Sequence, residues 1–157
     1  MRRLALVVAA VAFFVSAGPA GAAEKSATCA DLQVVLNGAA DGDVITLNSS
    51  AGPGGLCSAQ YTLHSFPTPS AFPNNYSQWT LKGRDGMNDG FDGSGLPGRV
   101  LTGVDVHRLE LQNLVFRDSS VTGDGGAVNI TGESSLGLRT SRFFNNHATG
   151  MGGAVHR

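Results

Sequence analysis

The densest group of metal-capable side chains is Asp85-Gly-Met-Asn-Asp89-Gly-Phe-Asp92-Gly, with three carboxylates inside eight residues. Hard oxygen ligands of this kind suit calcium. An EF-hand loop started at Asp85 would place Met87 at its third position and Leu96 at its twelfth, so that template fails. Two readings remain open: a looser calcium site built from Asp85, Asp89 and Asp92, or successive Asp-Gly turns whose carboxylates bond nearby backbone. The four histidines, His64, His107, His147 and His156, have no metal-ligand spacing and read as surface or turn residues. No Gly-x-Ser-x-Gly nucleophile motif occurs, and no catalytic residue or cofactor is assigned.

The elements that would position such groups are set by an internal repeat. Leu109-Glu-Leu, Phe116, Thr122-Gly123 and Gly125-Gly-Ala-Val128 recur 27 residues later as Leu136-Gly-Leu, Phe143, Thr149-Gly150 and Gly152-Gly-Ala-Val155. A unit this short cannot close its own core and must stack on a neighbour. Within the unit, apolar residues alternate with polar ones in short bursts (Val104/Val106, Leu109/Leu111, Leu114/Phe116, Val128/Ile130, Leu136/Leu138), which is the period of strands. Three short strands and three turns make one coil of a β-solenoid, so Phe116 is expected to sit on Phe143. Gly125-Gly126 and Gly152-Gly153 read as tight corners with positive φ and close stacking of backbones; Ala127, Val128, Ala154 and Val155 fill the interior beyond them. Asn146 is expected to bond backbone in a turn.

Projection by 27 residues tests for a reactive face. Asp118 falls on Asn145, Asp105 on Gly132, Asp124 on Met151 and Arg117 on Phe144, so no ladder of acids forms. A lyase would need stacked calcium-holding carboxylates and a basic proton acceptor. Arg108, Arg139 and Arg142 read as solvent-facing, and His156 projects onto Asn129 at an outward position.

Residues 1–23 read as an export signal: Arg2-Arg3, an apolar run from Leu4 to Val15, then small residues at Ala20-Gly-Ala22 and Gly21-Ala-Ala23. Its removal takes two of the eleven basic residues and none of the twelve acidic ones, leaving a mature chain at −3. With no basic cluster, nucleic acid is not an expected partner. The Leu4–Val15 run is too short to span a bilayer comfortably, which favours a cleaved signal over the alternative of an uncleaved anchor, and no membrane span is expected in the mature chain. Twenty-two glycines with few charges suit a turn-rich β-solenoid. In an oxidising compartment the two cysteines, Cys29 and Cys57, are expected to form a disulfide.

Residues 24–47 read as a cap. Thr28-Cys-Ala-Asp31 has capping-box spacing, followed by Leu32, Val35, Leu36 and Ala39 on one face, which predicts a helix over 29–38. Asp41-Gly-Asp43 then turns into a strand at Val44–Leu47. Residues 48–78 read as an irregular Pro/Gly-rich loop with a short strand at Tyr61–Leu63 and with Phe66, Phe72 and Tyr76 among its prolines. Those aromatics either pack over the first coil or contact sugar rings or a partner protein. Trp79-Thr-Leu81 is expected to open the regular coils of residues 79–157.

The run Leu32-Gln, Leu36-Asn and Asp41-Gly-Asp-Val-Ile-Thr-Leu47, with Phe91-Asp-Gly-Ser-Gly95 and Arg99-Val-Leu101, resembles the N-terminal segment of secreted right-handed parallel β-helix proteins. Phe143-Phe-Asn-Asn146 with Gly152-Gly-Ala-Val155 resembles the F-x-x-N and G-G-A-[ILV] pair of polymorphic outer membrane protein repeats, found in bacterial surface and autotransporter passenger domains. The first copy departs at Ser119, where Asn is expected. These resemblances imply an all-β chain folded as a right-handed parallel β-helix of about three coils with a short N-terminal capping helix. They imply a secreted or cell-surface structural or adhesive passenger, with a surface glycan or a host or partner protein as ligand. The alternative is the N-terminal part of a polysaccharide-degrading enzyme of pectin lyase-like fold, a lyase or a glycoside hydrolase; a third class is a carbohydrate-binding module. In the register of the first copy the sequence stops as a strand begins, at Val155, so it reads as the N-terminal part of a longer β-helix, and end-to-end self-association is expected of it.

Overall fold

The computed structural model describes residues 22–64, 78–132 and 134–157. The expected export segment, apart from its last two residues, and the aromatics Phe66, Phe72 and Tyr76 lie outside the described residues. In chain order the elements are β1 (Glu24–Thr28), α1 (Leu32–Asn37), β2 (Val44–Asn48), a 3-10 turn (Pro53–Gly55), β3 (Tyr61–Leu63), β4 (Gln78–Gly83), β5 (Gly90–Asp92), β6 (Leu101–Val104) and β7 (His107–Gln112). They continue as β8 (Val115–Arg117), β9 (Ser120–Val121), β10 (Val128–Thr131), β11 (Ser134–Arg139), β12 (Arg142–Phe144), β13 (His147–Ala148) and β14 (Val155–His156). Among the described residues the chain is mostly β, with one small α-helix. No helix among the described residues is long and apolar enough to cross a membrane.

The strands form a five-stranded sheet (β1-β2-β4-β7-β11), a four-stranded sheet (β3-β6-β10-β14), a three-stranded sheet (β5-β8-β12) and a two-stranded sheet (β9-β13). All registered pairs are parallel. A parallel neighbour cannot be reached by a tight hairpin, so a crossover must intervene. Here the crossover from one strand to its neighbour is made of the strands of the other sheets. From β4 onward the chain visits the five-, three- and four-stranded sheets in that order three times. The 27-residue spacing is realised as register: Leu109 lies beside Leu136, Phe116 beside Phe143, Ser120 beside His147 and Val128 beside Val155.

Register turns equivalent residues into columns of like side chains. Ile45, Leu81, Leu111 and Leu138 line one column, and Tyr61, Leu101, Val128 and Val155 another. The rings of Phe91, Phe116 and Phe143 stack at centroid spacings of 5.1 and 4.9 Å, the second pair only 6° from coplanar. Cys57 bridges to Phe91 at the end of this column, where its disulfide to Cys29 ties in the segment before α1.

Four expectations change. The stack begins before Trp79, since β1 and β2 already belong to the five-stranded sheet and Ile45 pairs with Leu81. Within 48–78 the expected strand at Tyr61–Leu63 is present as β3 and pairs with β6, but the stretch before it is not irregular throughout, since Cys57 pairs beside Phe91. A further copy of the repeat was hidden, because Trp79, Phe91 and Leu101 pair with Leu109, Phe116 and Val128 at offsets of 30, 25 and 27 residues. Insertions at turns hide a repeat from a fixed-period comparison while leaving register intact. Finally, α1 starts at Leu32 rather than at 29. Thr28 is held as strand beside Asn48, so Asp31 becomes the N-cap and its Oδ1 accepts both the Thr28 N–H (2.6 Å) and hydroxyl (2.8 Å).

The expected face of α1 does turn inward: Leu32 and Leu36 are buried, and Val35 and Ala39 pack on the same core. The helix also protects a strand edge. Gln33 donates from Nε2 to the Thr62 carbonyl (2.9 Å) and accepts the Thr62 N–H on Oε1 (2.9 Å), acting as a surrogate strand beside β3, the edge of its sheet.

Candidate functional site

The three aspartates singled out by spacing serve three different structural tasks. Asp89 is buried, and its Oδ1 accepts from Ser49 N (2.8 Å) and an Arg84 NH2 group (2.9 Å), with Ser49 Oγ at 3.0 Å. Its Oδ2 accepts from Arg84 N (3.0 Å) and Nε (2.8 Å). Burial alone would raise this carboxyl's pKa, but the Arg84 and Ser49 donors outweigh it and hold it down to about 2. Asp92 accepts from Ser94 N (2.9 Å) and from Arg117 Nε (3.1 Å) and NH2 (2.7 Å). Burial again works upward, and the Ser94 and Arg117 bonds win, lowering the Asp92 pKa. Asp85 accepts from Asn113 Nδ2 at 3.0 Å on the surface. Among the described residues, no three His, Cys, Asp or Glu side chains gather around a common point.

The Asp-Gly run combines two uses of glycine. Gly86 and Gly95 take positive φ, as turns require. Gly90 and Gly93 do not; a Cβ there would come within 2.0 Å of the Val115 carbonyl and of Ser119 Oγ, so they allow close stacking. The paired corner glycines divide likewise. Gly125 and Gly152 have φ near +66°, whereas Gly126, expected to be positive too, is not, and its Cβ would meet the Gly153 carbonyl at 2.0 Å.

Asn146 bonds backbone as expected, but across to the preceding pass of the chain. Its Nδ2 donates to the Phe116 carbonyl (2.9 Å) and its Oδ1 accepts the Ser119 N–H (3.2 Å). Ser119, at the matching place one repeat earlier, is buried, and among the described residues its hydroxyl has no partner. His156 sits beside Asn129 in register, with Nδ1 3.0 Å from Asn129 Oδ1. Arg108, Arg139 and Arg142 are exposed, and Arg139 pairs with Glu110 on the neighbouring strand. The histidines are spread over separate elements: His107 opens β7, His147 opens β13, His156 lies on β14 and His64 follows β3.

Two outward surfaces have the shape of binding sites. On the four-stranded sheet, register aligns Thr62, Thr102, Asn129 and His156 in an outward row. A cleft of about 380 Å³ opens over Thr62, Thr102 and Asn129 of that row, bordered by His64, Asp105 and Thr131. On the three-stranded sheet, register aligns Gly90, Val115 and Arg142 in one column and Asp92, Arg117 and Phe144 in the next. Two clefts of about 310 and 250 Å³ share Asn88, Val115 and Arg142, the larger walled by Gly54 and Leu56. The first surface offers threonine hydroxyls, the Asn129 amide, the Asp105 carboxylate and the His64 imidazole, and the second the Thr140 hydroxyl, the Asn88 and Asn113 amides, two guanidinium groups and the exposed Phe144 ring: groups that bind polar ligands. Sequence reading missed the second surface because its walls come from insertions outside the repeat. The available signal was Arg142 and Phe144, two apart on one strand and so on one face.

Comparison of the chain with family models, curated proteins and solved structures gives no match.

Proposed function

We propose that this chain is a right-handed parallel β-helix, related to the polymorphic outer membrane protein repeats it resembles, and that it is exported to serve as a structural or adhesive passenger-type segment. Its outward strand faces contact a surface glycan or a partner protein. The observation that carries the reading is the parallel register in which successive passes of the chain lay apolar residues on their counterparts, Leu109 on Leu136, Phe116 on Phe143 and Val128 on Val155, building a stacked scaffold from short strands. The Cys29–Cys57 disulfide supports an oxidising destination. The polysaccharide-cleaving alternative needs acids free on one face, whereas Asp89 and Asp92 are tied to Arg84 and Arg117, which favours binding over cleavage.

The test is to express the whole chain in a bacterial host. The expected result is an exported product whose N-terminus lies near Glu24 and which, immobilised, retains glycan-bearing cells. An uncleaved protein confined to the cytosol that retains no cells would contradict the proposal.

A further inference from the structure

We propose that the cleft over β5, β8 and β12 is a subsite for an anionic sugar unit, with Arg142 taking the negative group and Phe144 taking the apolar face of the ring; this rests on the reading of outward faces as contact surfaces. Arg142 is exposed, and among the described residues its guanidinium has no carboxylate partner. Its NH2 group donates to Asn88 Oδ1 at 3.0 Å, which orients the planar fork and leaves further N–H groups for a ligand. The other cation of the cleft, Arg117, is already neutralised by Asp92 and Asp118, so the local positive charge is centred on Arg142.

Phe144 lies two residues along the same strand, on the same face, with 49% of its surface exposed. A ring and a guanidinium on one strand face present an apolar surface and a bidentate donor to the same cleft. Neutral sugars would use only the ring and the Asn88 amide, and a simple inorganic anion would use only the arginine. A sugar bearing a carboxylate or a sulfate satisfies both. A cleft of about 310 Å³ is of the size that holds a small ligand.

The experiment is a titration of the isotope-labelled full chain, followed by NMR, with three probes: a hexuronate tetrasaccharide, a sulfated galactan oligosaccharide and a neutral glucan tetrasaccharide. The expected result is saturable shifts at Arg142, Phe144 and Asn88 with one or both acidic probes, at least tenfold weaker binding of the neutral one, and weakening as salt rises. Comparison of the two acidic arms identifies the anionic group. Arg142→Gln and Phe144→Ala should each lose tenfold or more, while Arg108→Gln, which removes the same charge from another face, should bind as the parent does. Equal binding of acidic and neutral probes, unchanged binding by R142Q, or shifts confined to Thr102 and Asn129 would overturn the proposal. If immobilised chain still retains cells while no acidic probe moves Arg142 or Phe144, this subsite fails and the adhesive reading stands.

Discussion

The two matching copies of the repeat use nearly the same letters and carry different weights. In the copy from Leu109 to Val128, Leu109, Leu111, Phe116 and Val128 are fully buried. In the copy from Leu136 to Val155, Leu136, Phe143 and Val155 are only partly buried and Leu138 is 47% exposed. Strands β7, β8 and β10 have neighbours on both sides, whereas β11, β12 and β14 are the outermost strands of their sheets. A repeat residue therefore takes its energetic value from the layers above and below it rather than from its own identity.

The largest effect expected from breaking this comparison is at the stacked rings. Phe116→Ala should lose about 3–5 kcal/mol in equilibrium urea unfolding, the range for a fully buried aromatic. Phe143→Ala, at the same motif position, should lose about 1–2 kcal/mol, since much less apolar area returns to water. Equal losses would mean that the two copies are equally enclosed.

Next in size is the disulfide that braces the opposite end. Its loop spans 28 residues in sequence, and Cys29→Ala with Cys57→Ala should lower stability by about 2–4 kcal/mol. Hydrogen exchange should localise the loosening to α1 and β3, leaving β11 as it was.

Asp89 gives a pH test. Its folded pKa of about 2 lies below its ordinary value of 3.8, so its contribution is present in full above about pH 4 and is lost as pH falls through about 2. The span corresponds to about 2 kcal/mol. Asp89→Asn should remove most of this contribution to the acid-side slope while leaving the shape of the profile above neutral pH unchanged. An unchanged slope would place the acid sensitivity elsewhere.

The smallest effect separates the two copies at their one difference in the turn. Asn146→Ala should cost about 1 kcal/mol, because its amide makes two bonds to the backbone beneath it. Ser119→Ala should be close to neutral, because the buried hydroxyl it removes has no partner among the described residues.

Much of this architecture was legible in the residues. The period-two bursts and the repeat gave parallel strands, the Phe116–Phe143 stack and the Asn129–His156 neighbours directly, because register preserves sequence offset wherever no insertion intervenes. The Cys29–Cys57 pairing followed from an even count and an expected oxidising compartment. What stayed hidden involves insertions or competition. The copy containing Trp79, Phe91 and Leu101 is disguised by unequal turns. Thr28 has the letters of a helix cap but is claimed by β1, where pairing with Asn48 fixes it as strand. Gln33 gives no sequence sign that its amide completes a sheet edge. Of the candidate sites, the aspartate run was visible but its arginine partners were not, since Arg117 reaches Asp92 only through strand pairing.

The most direct test of parallel, 27-residue stacking is the pattern of through-space proton contacts in the isotope-labelled chain. The account predicts parallel-strand Hα-to-amide contacts linking the Leu109 strand to Leu136, the Phe116 strand to Phe143 and the Val128 strand to Val155. Close Hα–Hα contacts of antiparallel pairing, or contacts at any other constant offset, would contradict it.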